Sequence, residues 1–323
     1  MRDASSRRAL ASESSSSVSV AELSQSPASP SFLYQVKLWR WGLRIAAWFP
    51  PRILHVVAAT LASVYARFRP KRFAVVRGNL LPISGGDERH AARLARALFR
   101  EFGVKLIDLW RYEAGLPVDR LFHSLTGWEN FTQAQARGKG VLLVTPHFGN
   151  WEFGAPLLAS REVRLLVLTQ AEPGAGFTEY RQAARARWGI ETLVVGGDPF
   201  AFVEIIKRLQ SGAVVALLID RPPPTSSVEV TFFGRPFRAS IAAAELARAS
   251  GCAILPVILP RVSTGYEAHL LPEIAYDRRM LGNRDARAVL TGEILRAFEP
   301  ALRQHPDQWF HFVPVWPETE GHQ

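Results

Sequence analysis

The chain has 323 residues, of which 48% are hydrophobic and 21% charged, and its 39 lysine and arginine residues against 29 acidic residues give a net charge of +10. This composition excludes a disordered acidic protein, a small disulfide scaffold and a polytopic transporter, because it can build one large or two small hydrophobic cores. The positive charge favours a polyanionic partner, either nucleic acid or anionic lipid headgroups, and composition alone does not choose between them.

The first 30 residues are rich in serine and poor in aromatic residues, and Pro27 and Pro30 close the stretch. Such a composition buries too little apolar surface to offset the entropy lost on ordering. The polar run at residues 12–19 stands where a signal peptide would have its apolar core. We predict that residues 1–30 form a disordered tail.

Residues 31–70 interleave aromatic with basic side chains, and Pro50 and Pro51 divide the segment in two. The longest uncharged run, residues 53–66, would extend about 21 Å as a helix, whereas a bilayer core is about 30 Å thick. Tryptophan beside arginine on amphipathic helices favours the water–lipid boundary. We predict interfacial membrane-anchoring helices here; the alternative is two core helices of a soluble domain.

Short apolar runs alternate with helical segments from residue 141 onward. Five runs are too short for helices and are typical of buried strands, namely 141–144, 165–168, 193–195, 214–219 and 253–259. The helical patterns at 177–188, 199–210 and 240–250 are each followed by a glycine within two residues. We predict an α/β domain over residues 71–318, with its sheet flanked by helices.

The passage that follows the first apolar run, residues 145–152, carries the strongest chemical signal. Reactive groups in such sheets collect on loops at the carboxyl ends of strands. His147 lies just past the strand, and Glu152 follows five residues later, a spacing that can return the carboxylate to one imidazole nitrogen. The other nitrogen would then serve as a general base toward a hydroxyl. The alternative is a structural histidine and a first-turn acid favoured by the helix dipole.

The sequence does not contain the motifs of several other classes of enzyme and binding protein. We find no Gly-x-Ser-x-Gly elbow, no Rossmann or P-loop glycine pattern and no histidines with metal-ligand spacing, and Cys252 has no neighbouring base. The basic residues are scattered without a recognisable nucleic-acid-binding module. We therefore expect no metal, no bound cofactor and no nucleic-acid partner.

Residues 127–129 and 138–152 resemble the lysophospholipid acyltransferase-like superfamily, and specifically the bacterial late lipid A acyltransferases and their relatives that acylate phosphatidylinositol mannosides. His147 and Glu152 match the HX4[D/E] motif of that superfamily. The resemblance extends over most of the chain through further segments, at residues 77–80, 185–189, 220–221, 232–236, 246–256 and 306–309.

The resemblance implies a mixed central sheet flanked by helices, and transfer of a fatty acyl chain from an acyl carrier protein or coenzyme A thioester to a hydroxyl of a lipid A-type or other glycolipid. His147 would be the general base and Glu152 its orienting partner. The enzyme would lie at the cytoplasmic face of the bacterial inner membrane, held peripherally or monotopically on anionic lipid. A lysophospholipid or amino-lipid acyltransferase and a non-catalytic basic membrane-binding protein are the alternatives.

Five residues are candidates for substrate binding: Asn150, Arg185, Asp220, Arg221 and Gly234. Arg185 and Asp220 stand where the family keeps an arginine and an acidic residue near the dyad, and the planar guanidinium suits a phosphate or a carboxylate. The alternative for Arg185 is a solvated cation on a helix face.

Two segments near these residues leave the acceptor open. Asp220 is followed by Arg-Pro-Pro-Pro, where lipid A enzymes usually have a polar segment containing Asp and Gly, so the acceptor is expected to differ from lipid A. The aromatic turn around Gly234, residues 233–237, fits equally an acyl tunnel and a hairpin packed in the core.

Overall fold

The computed structural model describes residues 34–116, 121–196, 200–263 and 265–317. The predicted tail, residues 1–30, lies outside these ranges. Four helices begin the described chain: α1 (Val36–Trp48), α2 (Pro51–Phe68), α3 (Pro70–Leu80) and α4 (Glu88–Glu113). Pro51 and Pro70 occupy the first turns of α2 and α3, where a missing backbone N–H costs nothing. Within the described ranges, no helix combines the length and the hydropathy that a membrane span needs.

Helix α4 is the element on which the other three pack. It starts at Asp87, whose side chain accepts a hydrogen bond from the backbone N of His90, a standard N-cap. At Gly103 the backbone of α2 comes so close that a Cβ would lie 2.9 Å from the carbonyl oxygen of Ala58. The absence of a side chain there therefore sets the distance between α2 and α4.

The outer faces of α1 and α2 are apolar and exposed. Trp48 is 86% exposed, Val56 68% and Phe68 76%, although each is a large hydrophobic side chain. We call this surface the outer apolar face; its residues are Trp41, Ile45, Trp48, Phe49, Ile53, Val56, Val57, Leu61, Val64 and Phe68. The opposite sides of the same helices are buried, through Trp39, Ala46 and Leu54. The segment predicted as an anchor thus has one face in the protein and one face outside it.

Eight strands form the central sheet, in the order β1-β10-β8-β2-β5-β3-β4 with β9 paired to β10. Strand β2 pairs in parallel with β5 and β8, and β3 pairs in parallel with β4 and β5, whereas β10 runs antiparallel to β8. The predicted mixed sheet is confirmed. Two further strands, β6 and β7, form a separate hairpin. The bounds are β1 (Phe122–Thr126), β2 (Val141–Thr145), β3 (Leu165–Gln170), β4 (Glu191–Val195), β5 (Val214–Leu218), β6 (Ser227–Phe232), β7 (Arg235–Ser240), β8 (Ala253–Ile258), β9 (Arg261–Val262) and β10 (Gly265–Leu270).

Helices cover both sides of this sheet. Alternate residues of β2 point to opposite faces, so Leu142 and Val144 join one apolar cluster and Val141 and Leu143 join another. The predicted flanking helices are confirmed. The helices are α5 (Trp128–Ala136), α6 (Gly154–Ala159), α7 (Phe177–Ala186), α8 (Ala201–Gln210), α9 (Ala242–Ser250), α10 (Arg284–Arg296) and α11 (Glu299–Gln304).

The aromatic turn around Gly234 is the tip of the β6–β7 hairpin. Phe233 and Gly234 have φ angles of 48° and 72°, as a two-residue turn between twisted strands requires. Phe232 and Phe237 are 1% and 0% exposed and contact Trp309. Of the two interpretations of this segment, the hairpin packed in the core is the one that the structure has.

Gly103→Ala should destabilise the protein by about 1–3 kcal/mol, because the new Cβ pushes α2 away from α4. Gly78→Ala in α3 is the matched control, since no atom lies within 4 Å of its Cβ position. Alanine there should raise the free energy of unfolding by up to about 1 kcal/mol through helix propensity. Denaturant unfolding measures both changes, and equal effects of the two substitutions would contradict the packing argument.

Candidate functional site

Three adjacent parallel strands bring the site together. Strands β2, β5 and β8 lie side by side, so the residues that follow them meet at one edge of the sheet. His147 follows β2 and Asp220 follows β5, and their side chains form a hydrogen bond of 2.6 Å between Nδ1 and Oδ1. The histidine that the sequence indicated is therefore paired with a carboxylate 73 residues away.

Asp220 is buried and accepts hydrogen bonds on both of its oxygens. Oδ2 accepts from the backbone N of His147 at 2.8 Å, from Nε1 of Trp309 at 2.9 Å and from Nε2 of His311 at 2.7 Å. An ionised carboxylate only accepts, so the proton of the neutral His147 ring lies on Nδ1. Its Nε2 is left without a proton and, in the described part of the chain, without a hydrogen bond.

The segment that carries Trp309 and His311 crosses the end of the sheet and holds the loop of His147 in place. We call residues 306–316 the C-terminal strap. The backbone N of Phe310 donates to the carbonyl oxygen of His147 at 2.8 Å, and the N of Gly149 donates to that of Gln308 at 3.0 Å. Gly149 has a φ of 58°, and a Cβ there would collide with the carbonyl oxygen of Leu259. Only glycine fits this turn without strain.

Asn79 of α3 fixes the strap from the other side. Its Nδ2 donates to the carbonyl oxygens of His311 at 3.1 Å and Val313 at 2.8 Å, and its Oδ1 accepts from the backbone N of Val315 at 3.2 Å. The indole N–H of Trp316 donates to the Asn79 carbonyl oxygen. One side chain from the N-terminal helices therefore holds the strap next to Asp220.

Burial and hydrogen bonding set the charges of the dyad. Burial lowers the pKa of His147 below its usual 6.5 and outweighs the opposing effect of Asp220, so the ring is neutral at pH 7. Burial alone would raise the pKa of the Asp220 carboxyl, but the two histidines and their hydrogen bonds hold it well below its usual range. A neutral imidazole oriented by a carboxylate can act as a general base.

Glu152 makes no hydrogen bond to the His147 ring in the described structure. The prediction that its carboxylate orients this ring is therefore wrong. Its carboxylate pairs with Arg185, with 2.9 Å between Nη2 and Oε1, and with Arg181, with 2.9 Å between Nη2 and Oε2. Arg181 also pairs with Glu113. The orienting position on Nδ1 is taken by Asp220 because β5 lies directly beside β2, a neighbourhood that spacing along the chain does not reveal.

The other predicted site residues fall into two groups. Arg185 and Arg221 line the cavity beside the dyad, and the Arg185 side chain is only 12% exposed, so it is not a solvated helix-face cation. Asn150 is fully buried, its backbone N donates to Leu259, and it does not line the cavity. Gly234, at the hairpin tip, does not line it either. The structure thus brings Arg185, Asp220 and Arg221 to the site and leaves Asn150 and Gly234 outside.

A cavity of about 2530 Å³ opens beside His147. Its walls combine apolar side chains of α2 and α4 with charged groups from the ends of the sheet. Sequence reasoning missed four residues around it and the dyad: Lys105, Arg181, Trp309 and His311. A signal existed for Arg181, which shares a helix face with Arg185 four residues later. Trp309 lies in one of the segments that carry the family resemblance, but the resemblance does not indicate what its side chain contacts.

His147, Asp220 and His311 bring three atoms that could bind a metal ion within 4.8 Å of one another. Zinc ligands lie about 2.0–2.2 Å from the ion and hence farther than a hydrogen bond from each other. Here both imidazole nitrogens lie 2.6–2.7 Å from carboxylate oxygens, and Trp309 donates its N–H to one of those oxygens. The donor set fits a hydrogen-bonded carboxylate better than a metal centre.

Comparison with known proteins finds relatives that share one name. The chain is 28% identical over 195 residues to the phosphatidylinositol mannoside acyltransferase of Mycobacterium tuberculosis, a match that covers 59% of this chain and 58% of that relative. It is 28% identical over 254 residues to the protein of the same name from Mycolicibacterium smegmatis, covering 72% of this chain and 80% of the relative. The matched part thus spans less than two thirds of the Mycobacterium tuberculosis protein.

The family model described as bacterial lipid A biosynthesis acyltransferase matches residues 29–318, which include both helical and sheet portions of the structure. The dyad, the strap and the cavity all lie within this range. The chain therefore belongs to the bacterial lipid A biosynthesis acyltransferase family.

Proposed function

We propose that the protein transfers a fatty acyl group from an acyl thioester, carried by acyl carrier protein or coenzyme A, to a hydroxyl of a membrane glycolipid. The observation that carries this proposal is the neutral His147, hydrogen-bonded through Nδ1 to Asp220, at the wall of a cavity large enough for lipid chains. Family membership supports the reaction class.

The dyad can perform this reaction without a metal or a bound cofactor. Nε2 of His147 takes the proton of the acceptor hydroxyl as its oxygen attacks the thioester carbonyl carbon. The tetrahedral intermediate collapses with cleavage of the C–S bond, and the leaving thiolate receives the proton from the imidazolium. Asp220 holds the ring orientation throughout and stabilises the imidazolium, as a buried carboxylate does in hydrolase triads.

For the acceptor we propose a phosphate-bearing glycolipid of the phosphatidylinositol mannoside type. The relatives reported above bear that name. The stiff Arg221-Pro222-Pro223-Pro224 segment, in which Arg221 lines the cavity, replaces the polar segment expected in lipid A enzymes. Acylation of a lysophospholipid or an amino-lipid is the second candidate, and it is favoured by the same cavity and the same base.

We assign Glu152 the role of a positioning residue. Its bidentate pair with Arg185 and its bond to Arg181 fix both guanidinium groups beside the cavity. Arg185 and Arg221 remain the candidates for contact with an anionic group of the substrate. In this proposal the histidine of the motif is the general base, and the glutamate of the motif positions the arginines that bind the substrate.

We further propose that the outer apolar face binds the cytoplasmic face of the bacterial inner membrane. Ten large apolar side chains are exposed on α1, α2 and the turn between them, a patch typical of membrane or protein contact. Between residues 34 and 80 there are nine basic side chains and no acidic one: Lys37, Arg40, Arg44, Arg52, Arg67, Arg69, Lys71, Arg72 and Arg77. Anionic lipid complements such a surface.

His147→Ala should lower acyl transfer at least about 10²-fold, because the general base is lost. In the wild type kcat should be constant above pH 7 and fall on the acid side with an apparent pKa below 6.5, since burial lowers the pKa of His147. The measurement is transfer of a labelled acyl group into lipid across a pH series. Full activity of His147→Ala would show that His147 is not the general base, whereas no transfer by the wild type would favour the non-catalytic membrane-binding protein.

Asp220→Asn and Glu152→Gln should show which carboxylate orients the His147 ring and which one positions Arg181 and Arg185. Asp220→Asn should reduce kcat about 10²–10⁴-fold, and its acid limb should move to lower pH, because Asp220 raises the pKa of His147. Glu152→Gln should leave that limb in place and lower the free energy of unfolding by about 3 kcal/mol, since Arg181 and Arg185 lose a shared partner. The reverse pattern would return the orienting role to Glu152.

Val56→Glu with Val64→Glu should reduce binding to anionic vesicles at least about 10²-fold, because each valine would otherwise transfer apolar area from water to lipid. The matched control is Met280→Glu with Val289→Glu, which changes two equally exposed apolar side chains elsewhere. Vesicle cosedimentation at low and high salt measures both. Equal loss of binding by the two double variants would contradict docking through α1 and α2.

A further inference from the structure

Lys105 of α4 carries a buried amine that the mechanism above does not use. The residue is 6% exposed and lines the cavity near His147. Its Nζ lies 2.8 Å from the centre of the Trp151 ring and 5.2 Å from that of Phe310. Among the described residues, no carboxylate lies within ion-pair distance of this amine. A buried lysine without a carboxylate partner is rare, because removing its charge from water is costly.

The charges around the amine are already paired with one another. Glu152 binds Arg181 and Arg185, and Arg181 also binds Glu113. Two carboxylates thus face two guanidinium groups, and Lys105 stands beside this network as an amine without an ion-pair partner among the described residues. Burial holds the pKa of Lys105 well below its usual range, with Glu152 acting in the opposite direction and Arg181 in the same one. An anion placed next to the amine would restore its charge.

The position of Lys105 ties it to the reaction centre. The Trp151 ring contacts the amine on one side and meets the His147 ring edge-on, with 5.1 Å between centroids. Trp151 lies within the motif that carries His147, so a single aromatic ring separates the amine of Lys105 from the proposed base. Lysine is a common ligand of phosphate, which it binds as a point charge.

We propose that Lys105 is the anchor of a phosphate-binding subsite in the cavity, where a phosphate group of a substrate becomes the counter-ion that the described residues do not provide. The inference rests on the proposed function and adds the chemistry by which a substrate is recognised. The phosphate has two possible sources, the headgroup of the acceptor lipid and the phosphopantetheine arm of the acyl donor.

Equilibrium binding to the full-length protein tests the subsite without turnover. The probes are dihexanoyl phosphatidylinositol against dihexanoylglycerol for the acceptor, and 4′-phosphopantetheine against pantetheine for the donor. Lys105→Met should weaken binding of one phosphate-bearing probe about 10-fold or more, as expected for a lost charge-assisted hydrogen bond, and leave its phosphate-free partner unchanged. The pair that responds identifies the source of the phosphate.

Two controls make the result decisive. Lys139→Met removes an exposed lysine from the loop before β2 and should leave all four probes unaffected. Lys105→Arg keeps the charge and should retain most of the phosphate-dependent binding. Methionine fits the buried aliphatic space, so Lys105→Met should unfold no earlier than the wild type; Lys105→Gln serves as a second neutral variant.

The proposal is overturned if Lys105→Met binds both phosphate-bearing probes as tightly as the wild type does. It is also overturned if the affinity for the phosphate-free probes falls by the same factor. A wild-type protein that binds the two members of each pair equally would overturn it as well. All of these measurements report binding without turnover. Failure of the subsite is therefore distinguishable from failure of the proposed reaction, which His147→Ala tests through turnover alone.

Discussion

The carboxylate of Asp220 is the group on which the geometry of this site depends. It accepts four hydrogen bonds from two separate parts of the chain: two from His147 in the loop after β2, and two from Trp309 and His311 of the strap. Each of these bonds replaces water that the buried carboxylate has lost, and together they keep it ionised. Because the same carboxylate orients His147 and binds the strap, the position of the imidazole and the local fold depend on the same hydrogen bonds.

The site also depends on two carboxylates that have different kinds of partner. Asp220 faces imidazoles and an indole, whereas Glu152 faces guanidinium groups. The two arginines occupy both oxygens of Glu152, which makes no hydrogen bond to a histidine among the described residues. A carboxylate bound to neutral N–H donors remains able to stabilise an imidazolium. The partners of each residue, more than its position in the motif, determine what it can do.

Much of the fold was readable from the sequence, because buried strands such as β2 and β5 are continuous apolar runs and the helices end near glycines. His147 was identified because it follows such a strand. Its partner could not be identified by spacing, since the neighbourhood of β2 and β5 is a property of strand order. His311 and Lys105 were missed for a related reason: an isolated histidine or lysine gives no periodic signal, and its meaning comes only from the groups that surround it. Gly234 and Asn150 were overvalued because turn residues serve structure as readily as function.

The strap has a consequence for how the protein is made. Residues 309–316 supply Trp309 and His311 to Asp220 and dock on Asn79, yet they follow every other part of the site in the chain. During synthesis the N-terminal helices emerge first and the sheet later, while Asp220 still lacks two of its donors. The site can therefore close only after the strap has emerged from the ribosome, which makes the pairing of Asp220 with its strap donors a late event in folding.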